Sequence, residues 1–248
     1  MPVNASVIIP LLDRSPVAEV VFGIQTTTPS GLDKSEVLKV ISEYPDLGMK
    51  VDALGDRFEP AMEKDGSYSI AWEGVKLVAP DGKRLGHFMR SGMFANFLPR
   101  YKGYEASFPK FHELWGVYLA AFRPELITGT SIRYVNVFEL PLTAEGFEVA
   151  KWFRMISIFP YPSPFNLLSF HNQCLVSEAE NGLQARIMLT SLEEKQGSLR
   201  LSLDIEGFRP RIASIDSEQP WADFLKLRDW TYRIFTEILK PECLEQFK

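Results

Sequence analysis

The sequence predicts an α+β fold in which one β-α-β-β-β-α unit occurs twice, at 1–124 and 125–248, with a mainly antiparallel sheet and helices on one face. Three observations lead there. Leu199, Leu201, Leu203 and Ile205 alternate with Arg200, Ser202 and Asp204, the period of two that belongs to a strand with one covered face. Each half closes on a long run with helical spacing: Phe108, Phe111, Leu114, Trp115, Tyr118, Leu119 and Phe122 in the first, and Trp221, Phe224, Leu227, Ile234, Phe235 and Ile238 in the second. Each half also places a tight-turn signal between two strand-like runs, Pro80-Asp81-Gly82 in one and Asn181-Gly182 in the other.

In chain order, Ala18, Val20, Phe22 and Ile24 alternate with Glu19, Gly23 and Gln25 and predict the first strand. A Pro-Ser-Gly turn then leads to Asp33 and Glu36, spaced as a capping box in which each side chain satisfies an orphan amide. The helix opened there turns Val37, Leu38, Ile41 and Tyr44 inward and stops at Pro45. Residues 49–62 read as an extended stretch bent at Gly55 and Pro60. The next strand is 68–78, and 85–97 returns antiparallel beyond the turn. Ser107 stands where it would cap the first long helix, which Pro124 ends. A long strand at 127–141 opens the second half. It is followed by a short helix at 143–156 with Phe147, Ala150 and Trp152 or Phe153 inward, and by the proline-rich FPYPSP. Strands at 167–177, from 183 and from 199 complete the half, with a last helix from about Pro220 to a stop at Pro241. In topology the layout looks like the TATA-binding-protein and helix-grip folds, a likeness that carries little about function.

Read by twos, the 127–141 strand gives a core row of Ile132, Tyr134, Asn136, Phe138 and Leu140, and a second row with Arg133 and Glu139. Asn136 is the polar member of the core row. A buried amide without partners costs on the order of 1–3 kcal/mol, so its expected task is to hold a neighbouring backbone in register. The rows facing away from the helices in the second half gather Arg133, Glu139, Ser169, His171, Gln173, Gln184, Arg186, Arg200, Ser202 and Asp204. Antiparallel sheets commonly leave such a face in water, with charges paired across strands for ~0.2–1 kcal/mol each. On a curved sheet the same face is a natural binding surface, and three arginines there suit a carboxylate, a phosphate or an acidic partner. In the first half, Trp72, Met89, Met93 and Phe94 form an apolar group that is more often core than a contact patch.

With 248 residues, 46% hydrophobic and 24% charged, the chain has the composition of a folded globular protein. A net charge of −5 argues against non-specific binding to nucleic acid, which needs clustered Lys and Arg to displace counterions, and leaves room for a local basic patch. Cys174 and Cys243 are the only cysteines and have no paired spacing, so reduced thiols in a cytoplasmic protein are expected, and no metal site. Pro10 interrupts the one apolar run near the start, and no run reaches the ~18 apolar residues of a membrane span, so neither a signal peptide nor a membrane association is expected. GxGxxG, GxxxxGK[ST], HExxH, GxSxG and EF-hand patterns are all missing, which lowers the odds of nucleotide, zinc or serine-hydrolase chemistry and implies no cofactor. His87, His112 and His171 fall on different predicted elements, with His112 on a solvated helix face. An acid–base pair of His171 with Asp204 or Glu139 would need them adjacent in space, and Cys174, of opposite strand parity, is expected to point inward.

The succession VAEVVFGIQ, WEGVKLVAPDG, FLPRYKGYE, SIRYVNVFELP, LRLSLDIEGF and LRDWTYRIFTEIL resembles a sporadically distributed bacterial family of unknown function. Its best marks are Arg133-Tyr134-Val135-Asn136 and Leu203-Asp204-Ile205. The resemblance spans nearly the whole chain and implies one full-length unit with no catalogued activity. Patchy occurrence implies mobile or phage-defence genes, and no catalytic residue carries over.

The expected function is a non-catalytic binding protein, a defence, immunity or antitoxin accessory. It would recognise a protein or a small anionic ligand through Arg133, Glu139, His171, Arg186, Arg200 and Asp204, with Asn136 structural. One alternative is a hydrolytic or nucleic-acid-processing enzyme built on His171 and nearby carboxylates. Another is an apolar-ligand cavity between sheet and helix, lined from Trp115 and Tyr118.

Overall fold

The computed structural model describes residues 15–29, 31–62, 68–99, 103–142, 147–154, 169–195 and 197–247. The start of the chain, much of the expected 143–156 helix, FPYPSP and the first residues of the expected 167–177 strand lie outside them. The described residues form nine strands in an antiparallel sheet and five α-helices, an α+β fold. Two compact units emerge, one of 20–131 with 209–223 and the other of 1–19, 132–208 and 224–248.

In the first of these units the strand order is β2-β3-β4-β5-β1. β1 (Val17–Thr27) buries Val20, Phe22 and Ile24 completely, the alternation its sequence predicts. Asp33 caps α1 (Lys34–Ser42), its carboxylate accepting the N–H of Ser35 at 2.7 Å and of Glu36 at 3.1 Å. The Ser35 hydroxyl first, and these two amides with it, holds the Asp33 carboxyl below its usual range. Val37 and Ile41 face inward, whereas Tyr44 is 40% exposed: the helix ends at Ser42, so Tyr44 lies past the last turn and leaves the expected stripe.

β2 (Lys50–Met62) pairs with β3 (Tyr68–Val78) through three register shifts, one of them between Gly55 and Asp56, so the extended stretch is bent as its Gly and Pro suggest. The expected 85–97 strand is two strands, β4 (Arg84–Met89) and β5 (Gly92–Phe97), folded back so that Met89 pairs with Gly92. Gly92 makes that fold possible. It sits at φ 146°, and a Cβ there would lie 2.2 Å from the carbonyl oxygen of Ile24. Among the described residues the two halves of the chain therefore differ by one strand.

α2 (Tyr104–Phe122) begins a turn earlier than expected: Gly103, at φ 96°, is the residue before its first turn, and Ser107 is buried inside it. Tyr104 stacks on Phe108 at 4.7 Å, so aromatic packing holds the first turn where a Ser cap was anticipated. The inner face of α2 is then a run of rings. Phe111, Trp115, Tyr118 and Phe122 are buried, with Trp115 on Tyr118 at 5.4 Å and Tyr118 on Phe122 at 4.8 Å. The Tyr118 hydroxyl bridges Thr26 Oγ1 at 2.7 Å and the Met89 carbonyl at 3.0 Å, and burial pushes its pKa up to about 12. Trp72 and Met93 belong to this core, while Met89 and Phe94 are half-buried.

In the second unit the order is β6-β9-β8-β7. β6 (Leu126–Pro141) buries Ile132, Asn136, Phe138 and Leu140 along one row. β8 (Leu183–Lys195) and β9 (Ser198–Ser214) match apolar residues across the ladder, Ile187 with Ile205 and Leu189 with Leu203. α4 (Gln219–Ile238) rests on β9 at Gly207, where an added Cβ would come within 2.5 Å of Thr231 Cγ2.

Of the short helix expected at 143–156, the described residues contain α3 (Val149–Trp152). Phe153 leaves it to bridge Leu239, and the Trp152 carbonyl accepts the Lys240 N–H at 2.9 Å. Val149, Trp152 and Phe153 are buried, and Ala150, expected inward, is exposed because it faces away from that bridge. Pro241 does end α4's run, and it starts α5 (Pro241–Leu244). β7 (His171–Glu178) and β8 are joined by a four-residue turn, not the two-residue primed turn that Asn181-Gly182 suggests. Only Gly182 takes a positive φ, 64°, its N–H closing on the Glu178 carbonyl at 3.0 Å, while the Asn181 amide donates to the Glu178 carboxylate at 2.7 Å.

Candidate functional site on the polar sheet face

The β8–β9 register sets Arg186 opposite Glu206, Met188 opposite Asp204 and Thr190 opposite Ser202, on the face turned from the buried Ile187–Ile205 and Leu189–Leu203 pairs. Arg133, from β6, reaches Asp204. Its Nε donates to both carboxylate oxygens, at 2.9 and 3.0 Å, and its Nη2 to Oδ2 at 2.5 Å. Asp204 is 5% exposed, yet the Arg133 side chain remains 41% exposed. The bond to Asp204 raises the Arg133 pKa, so the guanidinium is charged at every working pH. Bidentate capture fixes its plane and spends only part of its five donors.

The other predicted members divide into separate pairs. Arg186 Nη1 donates to Glu206 at 2.7 Å, and Arg200 Nη1 to Glu193. Glu139 accepts from the Ser198 hydroxyl at 2.9 Å. His171 Nδ1 meets Thr190 Oγ1 at 2.8 Å. The structure brings Arg133 and Asp204 together and keeps His171 apart, because β8 lies between its strand and that of Asp204.

Cys174 corrects the sequence reading. Its parity is inward, since it pairs with the buried Ile187, but it is exposed: among the described residues β7 is the last strand of the order. What cover there is raises the thiol pKa, which leaves less thiolate at neutral pH and suits no nucleophile.

Asn136, 2% exposed, donates Nδ2 to the Leu203 carbonyl at 3.1 Å and so ties β6 to β9 beside Asp204. Asn136→Leu is expected to cost about 1–3 kcal/mol in urea unfolding by stranding that carbonyl. A loss within experimental error would mean that the bond contributes nothing to the fold.

Sequence reasoning missed a second ionic cluster. Asp223, 2% exposed and just past the first turn of α4, accepts from Arg209 Nη1 and faces Arg211 Nε at 3.0 Å. The Arg211 contact is an ion pair without hydrogen-bond geometry, since both of its atoms lack a hydrogen-bond partner. Alternation along 209–214, with Arg209 and Arg211 two apart, was the available signal. A polar helix start gave no hint that Asp223 would be buried.

No group of three or more His, Cys, Asp or Glu gathers among the described residues as metal ligands would, and no helix among them is long and apolar enough to cross a membrane. Neither protein-family models nor curated proteins give a match to the chain. The site therefore stands on its geometry.

Proposed function

We propose that this protein is a non-catalytic binding protein whose recognition surface is the polar face around Arg133, Arg186 and Arg200, and that its target is another protein. The observation that carries the reading is the Arg133–Asp204 pair: a guanidinium locked by a nearly buried carboxylate, with its outer side open. A fixed, half-exposed arginine with unspent donors loses little freedom on meeting a partner's carboxylate or carbonyl groups, which is why arginine recurs in binding hot spots.

Charge balance favours a protein over a free anion. The three arginines are matched by Asp204, Glu206 and Glu193, so the face carries mixed charge and would not draw in a small anion by field alone. The enzymatic alternative loses its geometry with His171 on Thr190.

The test uses the two arginines whose acidic partners are themselves partly exposed. Arg186→Glu with Arg200→Glu is expected to leave melting within about 2 °C of the native protein, because exposed ion pairs contribute ~0–1 kcal/mol. It is also expected to reduce partner capture by at least about tenfold, since like charges across an interface are costly. Undiminished capture by the double variant would defeat the reading.

A further inference from the structure

We propose that the outer edge of β7 is a docking surface for a second copy of this chain, the two β7 strands pairing antiparallel about a dyad at Leu175. Among the described residues β7 ends the strand order, and its ladder with β8 runs from His171 to Glu178 without an irregularity. Strand edges that stay unpaired are usually spoiled by Lys, Pro or bulges. β2 is of that kind, with Pro60 in its sequence and three register shifts. β7 carries no charged residue between His171 and Glu178, and Leu175 is 63% and Val176 37% exposed.

The backbone groups on the outer side of β7 can be assigned. Ser191 donates its backbone N–H to the Phe170 carbonyl at 3.0 Å, and the Glu178 carbonyl is taken by Gly182 in the turn. Backbone groups alternate in direction along an antiparallel strand, so the even-numbered residues of β7 address β8 and the turn. Those of His171, Gln173, Leu175 and Ser177 point away from β8.

Two such edges join only with odd residues facing odd, which limits the registers. With Leu175 opposite the partner's Leu175, Gln173 meets the partner's Ser177, Cys174 meets the partner's Val176, and Asn172 meets the partner's Glu178. Apolar side chains meet apolar ones and polar meet polar along the whole strand. A two-residue slip one way sets Gln173 against the partner's Leu175 and Asn172 against the partner's Val176. The opposite slip sets Leu175 against the partner's Ser177 and Cys174 against the partner's Glu178. The strand is thus complementary to itself in one register, which singles out a second copy over an unrelated peptide.

Light scattering of the native protein over a range of micromolar concentrations is expected to show a reversible monomer–dimer equilibrium. Leu175→Lys puts two ammonium groups at the dyad and should raise the dimer dissociation constant about a hundredfold. At concentrations where the native protein is monomeric, its melting should match the native protein's, because Leu175 is largely exposed in the single chain. In a Cys174→Ser background, Leu175→Cys should give a covalent dimer with diamide, the oxidant that takes up the two thiol protons and two electrons. Cα atoms of a hydrogen-bonded antiparallel pair lie about 5.5 Å apart, within disulfide reach. A native protein that stays monomeric throughout overturns the proposal, as does a dimer that survives Leu175→Lys, or one that Leu175→Cys fails to cross-link.

Discussion

Phe22→Ala is expected to destabilise the protein by about 3–5 kcal/mol and lower its melting midpoint by on the order of 10 °C. Phe22 is fully buried, and its ring packs against those of Phe97 at 5.7 Å, Tyr104 and Phe108 at 5.8 Å and Phe111 at 5.4 Å. Removing the ring loses both its transfer free energy and the edge-to-face contacts, and the neighbours are poorly placed to close the gap. Phe97 is held in the β4–β5–β1 ladder, and Tyr104 and Phe108 are stacked on each other. Leu225→Ala, at a residue 47% exposed on α4, is the matched control and should change stability by less than about 0.5 kcal/mol. Urea unfolding of both variants checks the pair. A Phe22→Ala loss below about 1.5 kcal/mol would show that the aromatic cluster collapses into the space and is far less rigid than its geometry implies.

How much of this was readable beforehand depended on the range of the signal. Alternation at Val20, Phe22 and Ile24, and at Leu201, Leu203 and Ile205, is local and translated directly into buried rows. The 85–97 stretch was misread as one strand because its turn, at Arg90-Ser91-Gly92, carries a single glycine whose role is set by the approach of the β1 backbone. That approach is invisible in a window of sequence. The start of α2 failed for a similar reason: Ser107 has the right chemistry for a cap, but the stack of Tyr104 on Phe108 moves the boundary back.

At the candidate site, parity placed Arg133 and Asp204 on one face, yet not in contact, because which residues of β6 and β9 lie abreast is decided by pairing between distant segments. Cys174 marks the converse limit. Its direction followed from counting by twos, while its exposure followed from β7 being last in order among the described residues, a property of the sheet and not of any sequence window. Asp223 joins two arginines of β9, and no count along the helix could have revealed that.

Arg133→Met is expected to cost about 2–4 kcal/mol, and the double change with Asp204→Leu to restore most of that loss. The asymmetry comes from what each variant leaves behind. Removing the guanidinium strands a carboxylate that is 5% exposed and whose oxygens accept three bonds from Arg133. Breaking a buried pair by removing one member costs several kcal/mol, and the 41% exposure of Arg133 brings the figure below the fully buried case. Replacing both members by apolar side chains removes the desolvation cost together with the attraction, and Met188, directly opposite Asp204, offers the new leucine an apolar neighbour. A double-mutant cycle in urea should therefore give a coupling of about 1–3 kcal/mol, and a coupling near zero would mean that the pair is incidental to the fold. The stable double variant also separates fold from recognition. It keeps the sheet while deleting the presented guanidinium, so it should melt close to the native protein and capture partner at least about tenfold less well. Full capture by that variant would remove Arg133 from the recognition surface and with it the observation on which the binding reading rests.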